Sequence, residues 1–333
     1  MIRARALEFA APRDVRLVEL ELAEPRADEI VVRTLYSGIS TGTELLAYRG
    51  QIDPDLPLDE EIGTLTQTFS YPFRYGYGCV GIVERSNAAV GPGTVVAVLH
   101  PHQDRLVCRP ADAVPVPAAD ARLATMLPLV ETALQITLDV GDAFADPVVV
   151  TGLGSVGLLT ALLLQRAGAR VVGVDPVRAR RLLAGDVDVE AVAPDAAPDR
   201  VASLTAGHGV PVVVEASGNP AALASSLPLL AHEGTALVAS WYGTKPVTLA
   251  LGRDFHRRRL TIRSTQVSTI PARLSARWTI ERRRKRAAAL LAELPLKRLA
   301  THEVPFERAP EAFRMLDRGD GDVMHVALAY ERS

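Results

Sequence analysis

Short runs of Val, Leu and Ile, broken by turn residues, fill the first 120 positions. Val15–Leu22, Glu29–Tyr36, Val80–Val83 and Thr94–Leu99 are too short for helices and rich in strand-forming residues, so each predicts a strand. Asn87 and the Gly91-Pro92-Gly93 turn separate the last two, and Pro110, Pro115 and Pro117 punctuate the loop-rich stretch after Leu99. Strands joined by turns, with little helical periodicity, predict a barrel-like β domain.

The pattern changes near Arg122. Strand-like and helix-like runs then alternate: strand Pro147–Val150, helix Ser155–Ala167, strand Arg170–Val174, helix Pro176–Ala184, strand Pro211–Glu215, helix Ala221–Ala231, strand Thr235–Ser240. Such alternation predicts βαβ units and a parallel sheet. An arginine-rich helix over Arg273–Leu294 and a strand over Val323–Ala329 close the chain.

Within this α/β region, Gly152-Leu153-Gly154-Ser155-Val156-Gly157 is a GxGxxG sequence between a predicted strand and a predicted helix. The first glycine permits a tight turn, the second lets a pyrophosphate approach the backbone, and the third lets helix and strand pack closely. Phosphates then meet the free N–H groups and the dipole of a helix N-terminus. Asp175 ends the next strand 18 residues beyond Gly157, near the spacing of a ribose-binding acid. A carboxylate there accepts ribose hydroxyls and repels a 2′-phosphate, which favours NAD over NADP. Arg178, Arg180 and Arg181 complicate that preference, since each can pair with a phosphate.

Composition narrows the class. With 333 residues, 48% hydrophobic and 23% charged, the chain is long enough for about two domains and reads as globular rather than disordered. A net charge of -2 removes the general electrostatic reason to expect nucleic-acid binding. Two cysteines, Cys79 and Cys108, cannot form a disulfide framework or a four-cysteine zinc site. The start of the chain lacks the apolar run of a signal peptide. Pro147–Gln165 is uncharged over 19 residues, but its three glycines divide it into strand, turn and helix. The expectation is a soluble, cytoplasmic protein that does not bind membranes.

Four stretches together resemble the medium-chain dehydrogenase/reductase superfamily over nearly the whole chain. They are Ser37-Gly38-Ile39 followed by Thr41-Gly42-Thr43-Glu44, Tyr75–Glu84, the loop Gly152–Gly157, and Val213-Val214-Glu215-Ala216-Ser217-Gly218. The wording around Ser37–Glu44 and Tyr77 is most similar to the bacteriochlorophyllide dehydrogenase-like subgroup. The resemblance implies a GroES-like β-barrel domain over residues 1–121 and 269–333, and a Rossmann doubly wound parallel-sheet domain over 122–268. It places Ala216 and Ser217 beside the cofactor, with Gly152, Leu153, Gly154, Ser155, Val156, Gly157, Asp175 and Arg178. It also implies a homodimer, formed where Leu260–Ser268 supplies an edge strand.

The departures from that family bear on mechanism. Where zinc-dependent members carry a cysteine, this chain has Ser40 or Thr41, depending on where a one-residue insertion falls; where they carry a histidine, it has Tyr77. Glu131 is the one carboxylate near the third ligand position. Hydroxyls and one carboxylate are a poor zinc set, so no metal is expected. His100-Pro101-His102 is the remaining metal-like pair; with no third ligand it is read first as a loop or edge position and second as a metal pair, with a substrate contact also open.

The expected enzyme is therefore a zinc-independent NAD(H) oxidoreductase acting on a secondary alcohol or ketone of an apolar or aromatic small molecule. Tyr77 and Thr43, with Ser40 and Thr41 nearby and Glu131 as a weaker candidate, would serve the substrate oxygen. Phe69, Tyr71, Phe73, Tyr75 and Tyr77 recur every second residue and suggest an aromatic pocket, or else a half-buried strand. Arg257–Arg259 and Arg282–Arg286 are read as solvated faces. Two alternatives stand beside this reading: an enoyl or quinone reductase using NADPH, and a catalytically inactive nucleotide-binding sensor or structural subunit.

Overall fold

A computed structural model gives the fold of all residues except 61, 87–89, 117–120, 320–321 and 332–333. Asn87 and Pro117, read above as turn residues, lie outside the described residues. The chain divides into two compact units, Met1–Pro128 with Arg284–Ser333, and Leu129–Arg283. The borders expected at 121/122 and 268/269 stand at 128/129 and 283/284 in this division.

The first unit is largely antiparallel. Strands Ile2–Ala11 and Asp14–Leu22 form one ribbon. Strand Ile30–Ile39 organises a seven-stranded sheet: it pairs along one edge with Cys79–Ser86, and also with Arg105–Cys108 and Val326–Ala329. The ribbon strand Ile2–Ala11 and the strand Arg105–Cys108 escape the hydrophobic pattern, as does the short helix Thr43–Tyr48.

The aromatic stretch is not a strand. It is irregular chain with a cis Tyr71–Pro72 peptide, tied to the ribbon by the single bridge Phe9–Phe73. Its rings supply core. Phe69, Phe73 and Tyr75 are buried among Phe9, Tyr48 and Phe313, with Phe9 stacked on Phe73 at 5.2 Å. The Tyr71 hydroxyl donates to the Ala47 carbonyl. The aromatic pocket is therefore corrected to a hydrophobic core, and only Tyr77 of the five reaches a polar site.

The second unit is a six-stranded parallel sheet in the order Glu190–Val192, Arg170–Val174, Pro147–Thr151, Val210–Glu215, Leu230–Val238, Thr261–Ser264. The strand order reverses between Pro147–Thr151 and Val210–Glu215. Ligands of open α/β sheets bind outside the carboxyl ends of strands at such a point. All of Pro147–Thr151 is buried, as expected of a central parallel strand covered on both faces. Helix Ser155–Arg166 follows it and stops at Gly168, whose φ of +94° suits a helix-ending left-handed turn.

Two helices are shorter than their patterns suggest. Pro220–Ser226 starts where Asn219 caps the Ala221 N–H, and Pro228 prevents its continuation. The arginine-rich helix spans only Ile280–Leu290, because the Thr279 hydroxyl caps the Arg282 N–H at 3.1 Å. Among the described residues no helix is long and apolar enough to cross a membrane.

Candidate active site

The GxGxxG loop has the geometry its glycines require. Gly152 has φ +89°, and a Cβ there would lie 2.5 Å from the Ser217 Cα. A Cβ on Gly157 would lie 1.8 Å from the Gly152 carbonyl oxygen, so the helix packs onto the loop with no room for a side chain. Gly154 is different: a Cβ there would meet nothing within 4 Å. That open face at the head of helix Ser155–Arg166 is where a pyrophosphate can reach backbone N–H groups. Leu153 is buried against Gly173, which holds the turn on the neighbouring strand. Ser155 is buried, Val156 half-buried, and the Ala216 N–H donates to the Thr151 carbonyl at 2.8 Å. The loop residues therefore fit a dinucleotide.

Asp175 ends strand Arg170–Val174 as expected, but it is only 1% exposed. Its Oδ2 accepts the Leu153 N–H and its Oδ1 the Val177 N–H, each at 2.8 Å. Arg178 is exposed at the head of its helix. The arginine that reaches the Asp175 carboxylate is Arg180, with Nη1 3.6 Å from Oδ2. Glu215, ending strand Val210–Glu215, accepts from the Ser217 N–H and hydroxyl and from the Tyr242 hydroxyl. Burial, then this carboxylate, pushes the Tyr242 phenol well above its ordinary value.

The oxygen-site candidates fall in the first unit. The Tyr77 hydroxyl donates to Ser40 Oγ at 2.5 Å, and Thr43 also hydrogen-bonds the phenol. The structure thus selects Ser40 over Thr41 as the hydroxyl beside Tyr77; Thr41 is half-buried and outside this network. Burial, followed by the charge of Glu44, pushes the phenol up to about 12.

Behind these hydroxyls lies a buried chain that sequence patterns did not expose. The Ser40 N–H donates to Glu44 Oε1 at 2.9 Å. Glu44 Oε2 meets His102 Nε2 at 2.8 Å, His102 Nδ1 meets Ser37 Oγ at 2.7 Å, and Ser37 Oγ meets the Tyr330 hydroxyl at 2.8 Å. Glu44 and His102 are each fully buried. The one available signal was an acid in the apolar run Glu44-Leu45-Leu46-Ala47, where burial of a charge demands a partner. His102 is that partner. His100 instead turns Nδ1 to the Pro101 carbonyl, and burial pushes it down to about 4.

Glu131 is held in a buried ion pair. It is buried on helix Leu127–Val140, with Oε1 held by Arg283 Nη2 at 3.1 Å and Nε at 3.2 Å. Arg283 also donates to Gln135 Oε1 at 2.5 Å. The solvated-face reading of the arginine run fails at this residue: Arg283 is 1% exposed, and its guanidinium is used inside the protein.

Cys79 and Cys108 are buried free thiols, both pushed up to about 12 chiefly by burial. Cys79 donates to the carbonyls of His100 and Pro101. Among the described residues no group of three or more His, Cys, Asp or Glu side chains converges as a metal site. A phenol, hydroxyls and a carboxylate already shared with an imidazole do not make a zinc donor set.

Residues 155–280 match the zinc-binding dehydrogenase family. The chain is 29% identical to the 2-desacetyl-2-hydroxyethyl bacteriochlorophyllide A dehydrogenase of Cereibacter sphaeroides, over 94% of each chain. It is 26% identical to the D-guloside 3-dehydrogenase of Escherichia coli, over 93% of this chain and 95% of the relative. The fold superposes on crystalline L-idonate 5-dehydrogenase from Escherichia coli with a TM-score of 0.81 at 16% identity, covering 98% of both. These likenesses support the medium-chain dehydrogenase/reductase superfamily. The matching relatives are dehydrogenases, which supports an oxidoreductase.

Proposed function

We propose that this chain is a zinc-independent, NAD(H)-dependent dehydrogenase of a secondary alcohol, or reductase of the matching ketone. The observation that carries the reading is a half-buried phenol, Tyr77, at what the resemblance makes the histidine position of zinc-dependent members, bonded to Ser40 and backed by buried Glu44. The relatives' names support alcohol chemistry, since one names a hydroxyethyl group and the other a guloside.

The loop Gly152–Gly157 would hold the pyrophosphate, Asp175 the adenosine ribose, and Ala216 and Ser217 the nicotinamide end. What the nicotinamide supplies when bound is a two-electron hydride donor or acceptor. At neutral pH a phenol pushed up to about 12 keeps its proton, so Tyr77 acts as a hydrogen-bond donor and not as a base. Exchanging the Ser40 oxygen for a substrate oxygen costs it no hydrogen bond. Aimed at a developing oxyanion, such a donor supplies stabilisation that zinc gives elsewhere in the family. Ser40 and Thr43 pass the proton between that oxygen and water, and the Glu44 carboxylate fixes the Ser40 backbone. Burial of Phe69, Phe73 and Tyr75 removes the argument for an aromatic substrate.

The test is NADH oxidation and NAD reduction across ketones, enones and secondary alcohols. Turnover of ketones and alcohols with NAD(H) supports the reading. Turnover of enones alone with NADPH overturns it in favour of an enoyl reductase. One stoichiometric zinc per chain after chelator-free purification overturns the zinc-free mechanism. We also place the enzyme in the cytoplasm as a homodimer, joined at the edge strand Thr261–Ser264.

A further inference from the structure

The first unit holds a cavity of about 390 Å³ whose walls include Arg26, Glu29, Thr64, Gln67, Arg74 and His100. Its charges do not balance. Glu24, also on the wall, is already met by the Met1 amino group at 2.8 Å and by Arg85 at 3.0 Å. That leaves Glu29, whose Oε2 accepts the Arg26 N–H, against the guanidinium groups of Arg26 and Arg74. Arg26 is exposed, and water serves it. Arg74 is half-buried, yet among the described residues it makes no hydrogen bond and no ion pair. It is not one of the sealed, unpartnered groups of those residues, so its guanidinium stays open to a ligand. Its charge reaches the ring of His100. His100 Nδ1 lies 2.9 Å from the Pro101 carbonyl, which can only accept, so Nδ1 carries the proton and Nε2 is left a bare acceptor. Burial keeps that ring neutral by pushing it down to about 4. The Thr64 hydroxyl donates to the Leu99 carbonyl at 2.9 Å, which leaves its oxygen as a second acceptor.

We propose that this cavity is a binding site for a small hydroxycarboxylate. The unpaired Arg74 guanidinium takes the carboxylate, for which its planar fork is the natural partner. His100 Nε2 and the Thr64 oxygen accept from the ligand's hydroxyls. An acid without hydroxyls uses only the first of these contacts, and a neutral polyol only the second. Glu29 on the same wall repels a dianion more than a monoanion, which favours a carboxylate over a phosphate. Tyr77, Ser40 and the nucleotide loop are not on its walls, so the inference stands apart from the dehydrogenase reading.

The experiment is calorimetric titration of the purified full chain, without nucleotide, against gluconate, hexanoate, sorbitol and inorganic phosphate. Gluconate should bind, hexanoate about fivefold more weakly for its missing hydroxyls, and sorbitol at least about tenfold more weakly for its missing charge. Arg74→Leu should weaken gluconate about tenfold at an unchanged melting temperature, since Arg74 has no partner in the protein to lose. Arg74→Lys should recover part of that loss. His100→Phe should bring gluconate down to the level of hexanoate, and Tyr77→Phe should leave gluconate within about twofold of wild type. Absence of gluconate binding to the wild-type chain overturns the proposal, as does undiminished binding in Arg74→Leu. Loss of gluconate in Tyr77→Phe overturns it by placing the ligand at the oxygen site. Phosphate binding as tight as gluconate overturns the hydroxycarboxylate in favour of a general anion site.

Discussion

The nucleotide loop and the oxygen site differ in how far the chain travels to build them. Gly152, Gly154 and Gly157 lie within six residues, and strand, turn and helix follow one another directly. The chain behind Tyr77 joins Ser37 to Tyr330, 293 positions apart, and Glu44 to His102, 58 apart. Backbone conformation makes the first site; side chains from distant segments make the second. A loop of the first kind is damaged by adding an atom, and a site of the second kind by removing one.

The sharpest way to test where the oxygen site ends is Glu131→Ala. Removing one partner of a buried ion pair leaves the Arg283 charge without the Glu131 carboxylate, and the loss of unfolding free energy should be about 4 kcal/mol. Turnover per folded molecule should stay near wild type; a fall of a hundredfold or more would return Glu131 to the chemistry. Tyr77→Phe should do the opposite, lowering kcat by roughly 10²–10³-fold with little change in melting temperature. An unchanged hydride-transfer rate removes Tyr77 from catalysis.

Gly157→Ala tests the loop by addition. The new methyl collides with the Gly152 carbonyl, and backbone cannot yield as a side-chain tip can. NADH affinity should drop about a hundredfold, the upper range of overpacking costs, as read by titration. The last effect is on stability against pH. His325 Nε2 meets Thr125 Oγ1 at 2.9 Å, its Nδ1 has no partner among the described residues, and burial lowers it to about 4. The unfolded chain takes up that proton near pH 6.5 and the folded chain only near 4. Stability is therefore full above pH 6.5 and declines as pH falls toward 4, by roughly 3 kcal/mol. Denaturation of wild type and His325→Gln across that window should show a shallower slope in the variant, where His100, also pushed down to about 4, keeps its share.

Legibility followed the same division. The sequence located the strand, turn and helix around Gly152–Gly157, because glycine spacing encodes backbone geometry directly. Asp175 was legible from spacing, while its occupancy by Leu153, Val177 and Arg180 was not, since those contacts depend on how the turn folds back. Tyr77 and Ser40 stood out as departures from a family pattern. Their partners Glu44, His102 and Tyr330 did not, because no local periodicity links residues so far apart. Two misreadings share a cause. The alternation of Phe69–Tyr77 and the charge of Arg282–Arg286 are real patterns, but packing overrode both: three of the rings became core, and Arg283 turned inward to Glu131.

The pairing of Ile30–Ile39 with Val326–Ala329 has a consequence for synthesis. The parallel-sheet unit is one continuous stretch, complete once Arg283 has been made. The antiparallel unit must wait. Until residues 326–330 leave the ribosome, one edge of its organising strand stays open at residues 36–39, and Ser37 lacks the Tyr330 hydroxyl. Order of translation thus favours a nascent chain that has finished its nucleotide loop while the network behind its oxygen site still lacks Tyr330.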